Sequence, residues 1–196
     1  MSHRKLTVLA LLPLAVASFL SLPAAAEDAA EKPLQSGRDV GDDVPYFYVR
    51  DVTGPRANLA VCYVCRHGNR PVVMTFARQV SRPLGDLLKQ IDTAVDDRRG
   101  EGLRSFTVFI NDDSQQLAGR LLDLARDESL SMPLCISARH VESPSSQNIN
   151  SDADVTVVLY AQRKVVANFA FREGELTAES RQAVLDAVAQ LGRSGE

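Results

Sequence analysis

Cys62-Tyr63-Val64-Cys65-Arg66-His67-Gly68-Asn69-Arg70-Pro71-Val72-Val73-Met74-Thr75-Phe76-Ala77 decides how this chain is read. Its second half is an unbroken apolar run opened by Pro71, the signature of a strand buried on both faces. Its first half carries two of the three cysteines, Cys62 and Cys65, with Arg66 and His67 directly behind them. Residues three apart in an extended strand point to opposite faces, so a bond between these cysteines requires a turn or bulge at Tyr63-Val64. A cation beside a cysteine favours its thiolate, which makes Arg66 and His67 the candidate tuning residues of a reactive pair.

Upstream, Leu59 to Cys65 reads as a short β-type run and Val44 to Val52 as another, ending in the turn signal Thr53-Gly54-Pro55. Downstream, Ser81 and Pro83 open a helix whose Leu84, Leu87, Leu88, Ile91 and Val95 share a face. Phe106–Ile110 is the next strand, stopped by Asn111-Asp112-Asp113. Ser114 then starts a helix with Leu117, Leu121, Leu124 and Ala125 aligned, and Met132–Ile136 is a short third strand. Residues 138–151 are polar, rich in serine and asparagine, and read as a surface loop. Val155–Tyr160 and Val165–Phe171 flank Gln162-Arg163-Lys164 as a hairpin, and Thr177 caps a last helix stopped by Gly192. Strands separated by helices imply parallel pairs with right-handed crossovers. The hairpin adds an antiparallel edge, giving an α/β fold with a mixed sheet and helices on both faces.

The N-terminus is read apart from the fold. His3-Arg4-Lys5, the apolar Leu6–Leu20 and Ala24-Ala25-Ala26 have the order of a cleaved signal peptide. Residues 1–26 are therefore expected to be a signal peptide, 27–43 a flexible leader and 44–196 one domain. The mature protein is expected to be periplasmic or secreted, with no membrane span after cleavage. Removing Arg4 and Lys5 leaves 20 basic and 25 acidic residues, with no basic patch, so nucleic acid is excluded as a partner. Export places the chain in an oxidising compartment, and three cysteines permit at most one internal disulfide.

The segment Val40-Gly41-Asp42-Asp43-Val44-Pro45-Tyr46-Phe47, the strand Arg70–Ala77 and the late hairpin resemble the thioredoxin-like superfamily, and within it the peroxiredoxin (AhpC/TSA) branch. The resemblance spans about Val40 to Leu191. It implies a three-layer α/β/α domain with a mixed central sheet, to which this chain adds an N-terminal β-ribbon. It also implies an active cysteine just after the central strand. This sequence has Arg78-Gln79-Val80-Ser81-Arg82-Pro83 there, so peroxidase activity through that position is not expected. Where relatives carry a proline before the late hairpin, this chain has Asp152-Ala153-Asp154.

Three readings of the displaced pair stand side by side. The first is a reversible Cys62–Cys65 disulfide exchanging with protein thiols or disulfides, tuned by Arg66 and His67. The second is a catalytically silent binding module in which the pair is a structural pin. The third is copper or zinc held by Cys62, Cys65 and His67, completed by Cys135 or His140. No cofactor is called for: no phosphate loop, hydrolase elbow or paired-carboxylate helix occurs. Cys135, within Leu134-Cys135-Ile136, reads as a buried small hydrophobe.

Overall fold

A computed structural model describes residues 33–111, 114–137 and 139–193. The signal-peptide reading of residues 1–26 and the stop at Asp112-Asp113 lie outside these. Seven strands form one sheet in the order β2-β1-β5-β4-β3-β6-β7. They are β1 (Val49–Asp51), β2 (Ala60–Val61), β3 (Val72–Ala77), β4 (Arg104–Ile110), β5 (Leu134–Ser137), β6 (Val155–Ala161) and β7 (Lys164–Phe171). The helices are α1 (Tyr63–His67), α2 (Arg82–Asp97), α3 (Ser114–Asp127) and α4 (Ala178–Gln190).

β3 is the central strand, and every residue of it is buried. It runs parallel to β4 and antiparallel to β6. Val72, Met74 and Phe76 face one core, while Val73 and Ala77 face the other. The path β3-α2-β4-α3-β5 steps twice in the same direction through parallel strands. Right-handed crossovers therefore place α2 and α3 on one face. Leu84, Leu87, Leu88, Ile91, Leu117 and Leu121 bury there, joined by Val184 and Val188 of α4.

The expectation of helices on both faces holds unequally, because the three long helices share one face. The other face is covered by α1, by Val44, Phe47 and Val49, and by the return from β5 to β6, which contributes Val141 and Ile149. That return, expected to be a surface loop, keeps most of its described residues at the surface but also packs on the sheet, with a 3₁₀ turn over Arg139–Glu142 and Gln147 buried to bond the Pro45 carbonyl at 2.9 Å.

The N-terminal β-ribbon is present as β1 and β2, an antiparallel pair added beside β5. It is shorter than the sequence suggests. Only Val49–Asp51 of Val44–Val52 pairs as a strand, since Pro45 has no N–H to donate. Of the stretch read as a leader, Gly37 and Gly41 donate to the Asn148 and Val165 carbonyls, and the Ser36 hydroxyl bonds Thr156 at 2.7 Å. Among the described residues no helix is long and apolar enough to cross a membrane.

The main correction concerns Leu59–Cys65, read as a strand. Only Ala60–Val61 pairs as one, and Tyr63 to His67 is helical. The β-branched and aromatic residues that suggest a strand are used here for burial: Tyr63 stacks on Phe106 at 5.1 Å, and Val64 is fully enclosed. Gly68, at φ 61°, closes the turn with a backbone conformation that favours glycine.

Candidate functional site

Cys62 and Cys65 are joined in a disulfide, their Cα atoms 5.3 Å apart. The one-turn helix supplies the turn that an extended chain lacks. Cys62 sits at the N-cap, where its sulfur accepts the Cys65 N–H at 3.1 Å. The two sulfurs are not equivalent, for Cys62 is buried and Cys65 is exposed. Cys65 is flanked by two surface cavities. Tyr48, Leu59, Arg56 and Arg66 line one of about 230 Å³, and Tyr46, Gly68, Asn69 and Arg163 line another of about 340 Å³. Tyr46, Tyr48 and Leu59 are unusually exposed for large apolar side chains, and the Arg163 guanidinium lies over the Tyr46 ring.

The helix is anchored from below by Asp51, a fully buried carboxylate on β1. Its oxygens accept the N–H groups of Gly54 and Arg56, each at 3.0 Å, and the Tyr63 hydroxyl at 2.8 Å. A Cβ at Gly54 would stand 2.6 Å from both the Asp51 carboxylate and the Tyr63 hydroxyl, so this turn requires glycine. Burial, reinforced by the bond to Asp51, pushes the Tyr63 phenol well above its usual range. Asp51 also faces the Cys135 thiol at 3.9 Å. Burial first, then the Asp51 charge, raises that thiol far up, so Cys135 is an inert core residue, as its apolar neighbours suggest.

His67 and Arg66 part ways. The His67 ring stacks on Tyr63 at 5.6 Å, and burial, with Arg104, Arg70 and Arg66 nearby, lowers its pKa to about 4. It is neutral at physiological pH and adds no cation beside the disulfide. Arg66 is exposed and lines the cavity that reaches both cysteines. Among the described residues no three His, Cys, Asp or Glu side chains converge as metal ligands.

The position after β3 that the thioredoxin-like resemblance would assign to chemistry is taken by structure. Arg78 donates from Nε to the Ala153 carbonyl at 2.8 Å, from Nη2 to the Asn150 carbonyl at 2.9 Å and from Nη1 to Glu142 at 2.7 Å. This fork ties the end of β3 to the return loop. The disulfide precedes β3 in the chain, at the start of α1, whereas this position follows the last residue of β3. The sequence singles out both cysteines, which the structure joins in a disulfide. It does not single out Asp51, which has no motif and acts only through the folded ribbon.

No family model matches the sequence, and no curated protein matches it. Solved structures do match in shape. The fold is thioredoxin-like. A putative thiol:disulfide interchange protein DsbE from Chlorobium tepidum is 16% identical at a TM-score of 0.54, covering 76% of this chain and 98% of its own. A putative protein disulfide isomerase from Bacteroides thetaiotaomicron is 12% identical at a TM-score of 0.60, covering 83% and 96%. The yeast mitochondrial 1-Cys peroxiredoxin is 13% identical at 0.56, covering 78% and 76%. The thioredoxin-like scaffold is thus shared with interchange proteins as well as peroxiredoxins, and identities this low speak for fold alone.

Proposed function

We propose that this chain is an exported thiol–disulfide redox protein whose exchanging pair is Cys62–Cys65. The observation that carries the reading is the asymmetry of the pair: an exposed Cys65 bonded to a buried Cys62 whose sulfur accepts the Cys65 N–H. An incoming protein thiolate attacks the Cys65 sulfur and forms a mixed disulfide, breaking the Cys62–Cys65 bond. Cys62 leaves as a thiolate, with the Cys65 N–H as a charge-assisted donor. A second substrate thiolate then attacks its own sulfur in the mixed disulfide and releases Cys65. Two substrate thiols become one disulfide, and their two electrons and two protons end on Cys62 and Cys65. Run backwards, the reduced pair opens a substrate disulfide.

Arg66 is the cation that lowers the reacting thiol, while neutral His67 supports α1 by packing. Residues 1–26 act as the signal peptide, which fits an oxidising compartment, and the interchange proteins of the same fold support the same chemistry. The loop closed by Cys62 and Cys65 is only four residues, and constraint of so short a loop contributes roughly 2 kcal/mol. That is a small return for a purely structural bridge.

The test is trapping. With a disulfide-bearing or thiol-activated protein substrate, Cys62→Ser is expected to accumulate a mixed disulfide through exposed Cys65, and Cys65→Ser to accumulate none. The wild type is expected to reduce insulin and to equilibrate with glutathione. A potential below about −300 mV with no turnover would mark a structural disulfide and overturn the reading.

A further inference from the structure

Behind α1, a cavity of about 280 Å³ opens between the C-terminal half of α2 and the starts of β4 and β5. Its lining includes Arg66, His67, Asp92, Arg99, Arg104 and Ser105, drawn from four separate parts of the chain. Three arginines and one aspartate line it, and the imidazole is neutral. Asp96, itself outside the lining, pairs with Arg99. Burial raises the Asp92 pKa, against the Ser131 N–H that its Oδ2 accepts, and its one carboxylate faces three arginines in the lining. The Arg104 Nη1 donates to the Leu103 and Arg99 carbonyls at 2.7 and 3.0 Å, which fixes its guanidinium at the rim.

The buried polar atoms point the same way. His67 Nε2 and Ser105 Oγ are both buried with no hydrogen-bond partner in the protein, both line this one cavity, and each can donate to an anion; Asp92 Oδ1, also unpaired there, is a carboxylate oxygen that works against one. Buried polar groups are ordinarily paired, so two orphan donors beside three arginines mark a place built to be completed from outside. Guanidinium forks match the paired oxygens of carboxylate and phosphate, and a hydroxyl and an imidazole add single bonds. The volume is just below that of ordinary ligand pockets, which suits a compact molecule.

We propose that this cavity binds a small anion presenting carboxylate or phosphate oxygens to Arg66, Arg104 and Ser105. The site does not depend on the redox reading, although Arg66 borders both. Calorimetry and thermal melts of the purified protein with malonate, with inorganic phosphate and with sodium chloride at equal ionic strength test it. Saturable one-site binding of malonate alone assigns a carboxylate ligand, and of phosphate alone a phosphate ligand. Arg104→Gln and Ser105→Ala are each expected to weaken binding at least tenfold, with Arg126→Gln on the outer face of α3 unchanged.

Arg104 also bonds the backbone at the start of β4, so Arg66→Gln, at an exposed position, repeats the measurement without that risk. The His67 imidazole NMR signals provide a direct readout and are expected to move on saturation. A response no greater than that to chloride overturns the proposal. So does one unchanged in Arg66→Gln and Arg104→Gln, or a His67 spectrum that stays still, any of which leaves the cavity to ordinary water.

Discussion

His67 shows how a residue chosen from sequence for its charge can be used for its shape. Its ring packs against both Tyr63 and Phe106, which also stack on each other, and its pKa falls to about 4 against 6.5 for an ordinary histidine. Between these values the unfolded chain binds a proton that the folded chain refuses. Stability is therefore complete above pH 6.5 and falls as the pH drops from 6.5 towards 4. The loss is of order 2–3 kcal/mol for a mostly buried ring. Urea unfolding from pH 4 to 7 is expected to show this slope, and His67→Gln to flatten it. An equal slope in the variant would assign the pH dependence to other groups. The same neutrality predicts that His67→Gln leaves thiol exchange at pH 7 almost unchanged.

The long elements were legible because their patterns are local. The stripe from Leu84 to Val95 and the apolar run of β3 each announce one element, and both are buried as expected. α1 was illegible for the same reason: five residues cannot display a helical period, and their identity suggests a strand. What makes Tyr63–His67 a helix is the Cys62–Cys65 bond, the Tyr63 hydroxyl on Asp51 and the ring stack on Phe106. Those partners are 12 and 43 positions away or meet only after folding. The arginine-lined cavity was hidden likewise, its residues being scattered over α1, α2, the 3₁₀ turn Arg99–Glu101 and β4. The β6–β7 turn offers an element-scale test. Gln162 and Arg163 both take positive φ, 52° and 61°, where asparagine and glycine are at ease. Gln162→Asn is expected to stabilise by about 0.5–1 kcal/mol, raising Tm by about 1–4 °C in a melting experiment. Arg163→Gly gains less, because Arg163 also holds the Tyr46 ring and hydroxyl.

Across the whole molecule, the chemistry proposed here sits before β3, while the thioredoxin-like resemblance implies an active cysteine after it. The position it implies holds a helix start without a cysteine. Ser81 is the extended N-cap of the sixteen-residue α2, and its hydroxyl makes no capping bond, Pro83 having no N–H to offer. The Gly85 N–H still closes on the Ser81 carbonyl, so the helix start is well formed. A thiol placed there meets the helix N-terminus, with Arg78 and Arg82 beside it in sequence, and these favour thiolate. Ser81→Cys in a Cys62→Ser, Cys65→Ser background is the clean version, because Cys135 is buried and its raised pKa keeps it silent. The rate of iodoacetamide alkylation against pH is expected to reach half-maximum near pH 7, below the roughly 8.5 of a free cysteine. A midpoint at 8.5 or above would mean that this helix start does not activate a thiol. A lowered midpoint would mean that it does, and that the absence of a thiol at residue 81, rather than the electrostatics of the helix start, keeps this end of β3 silent.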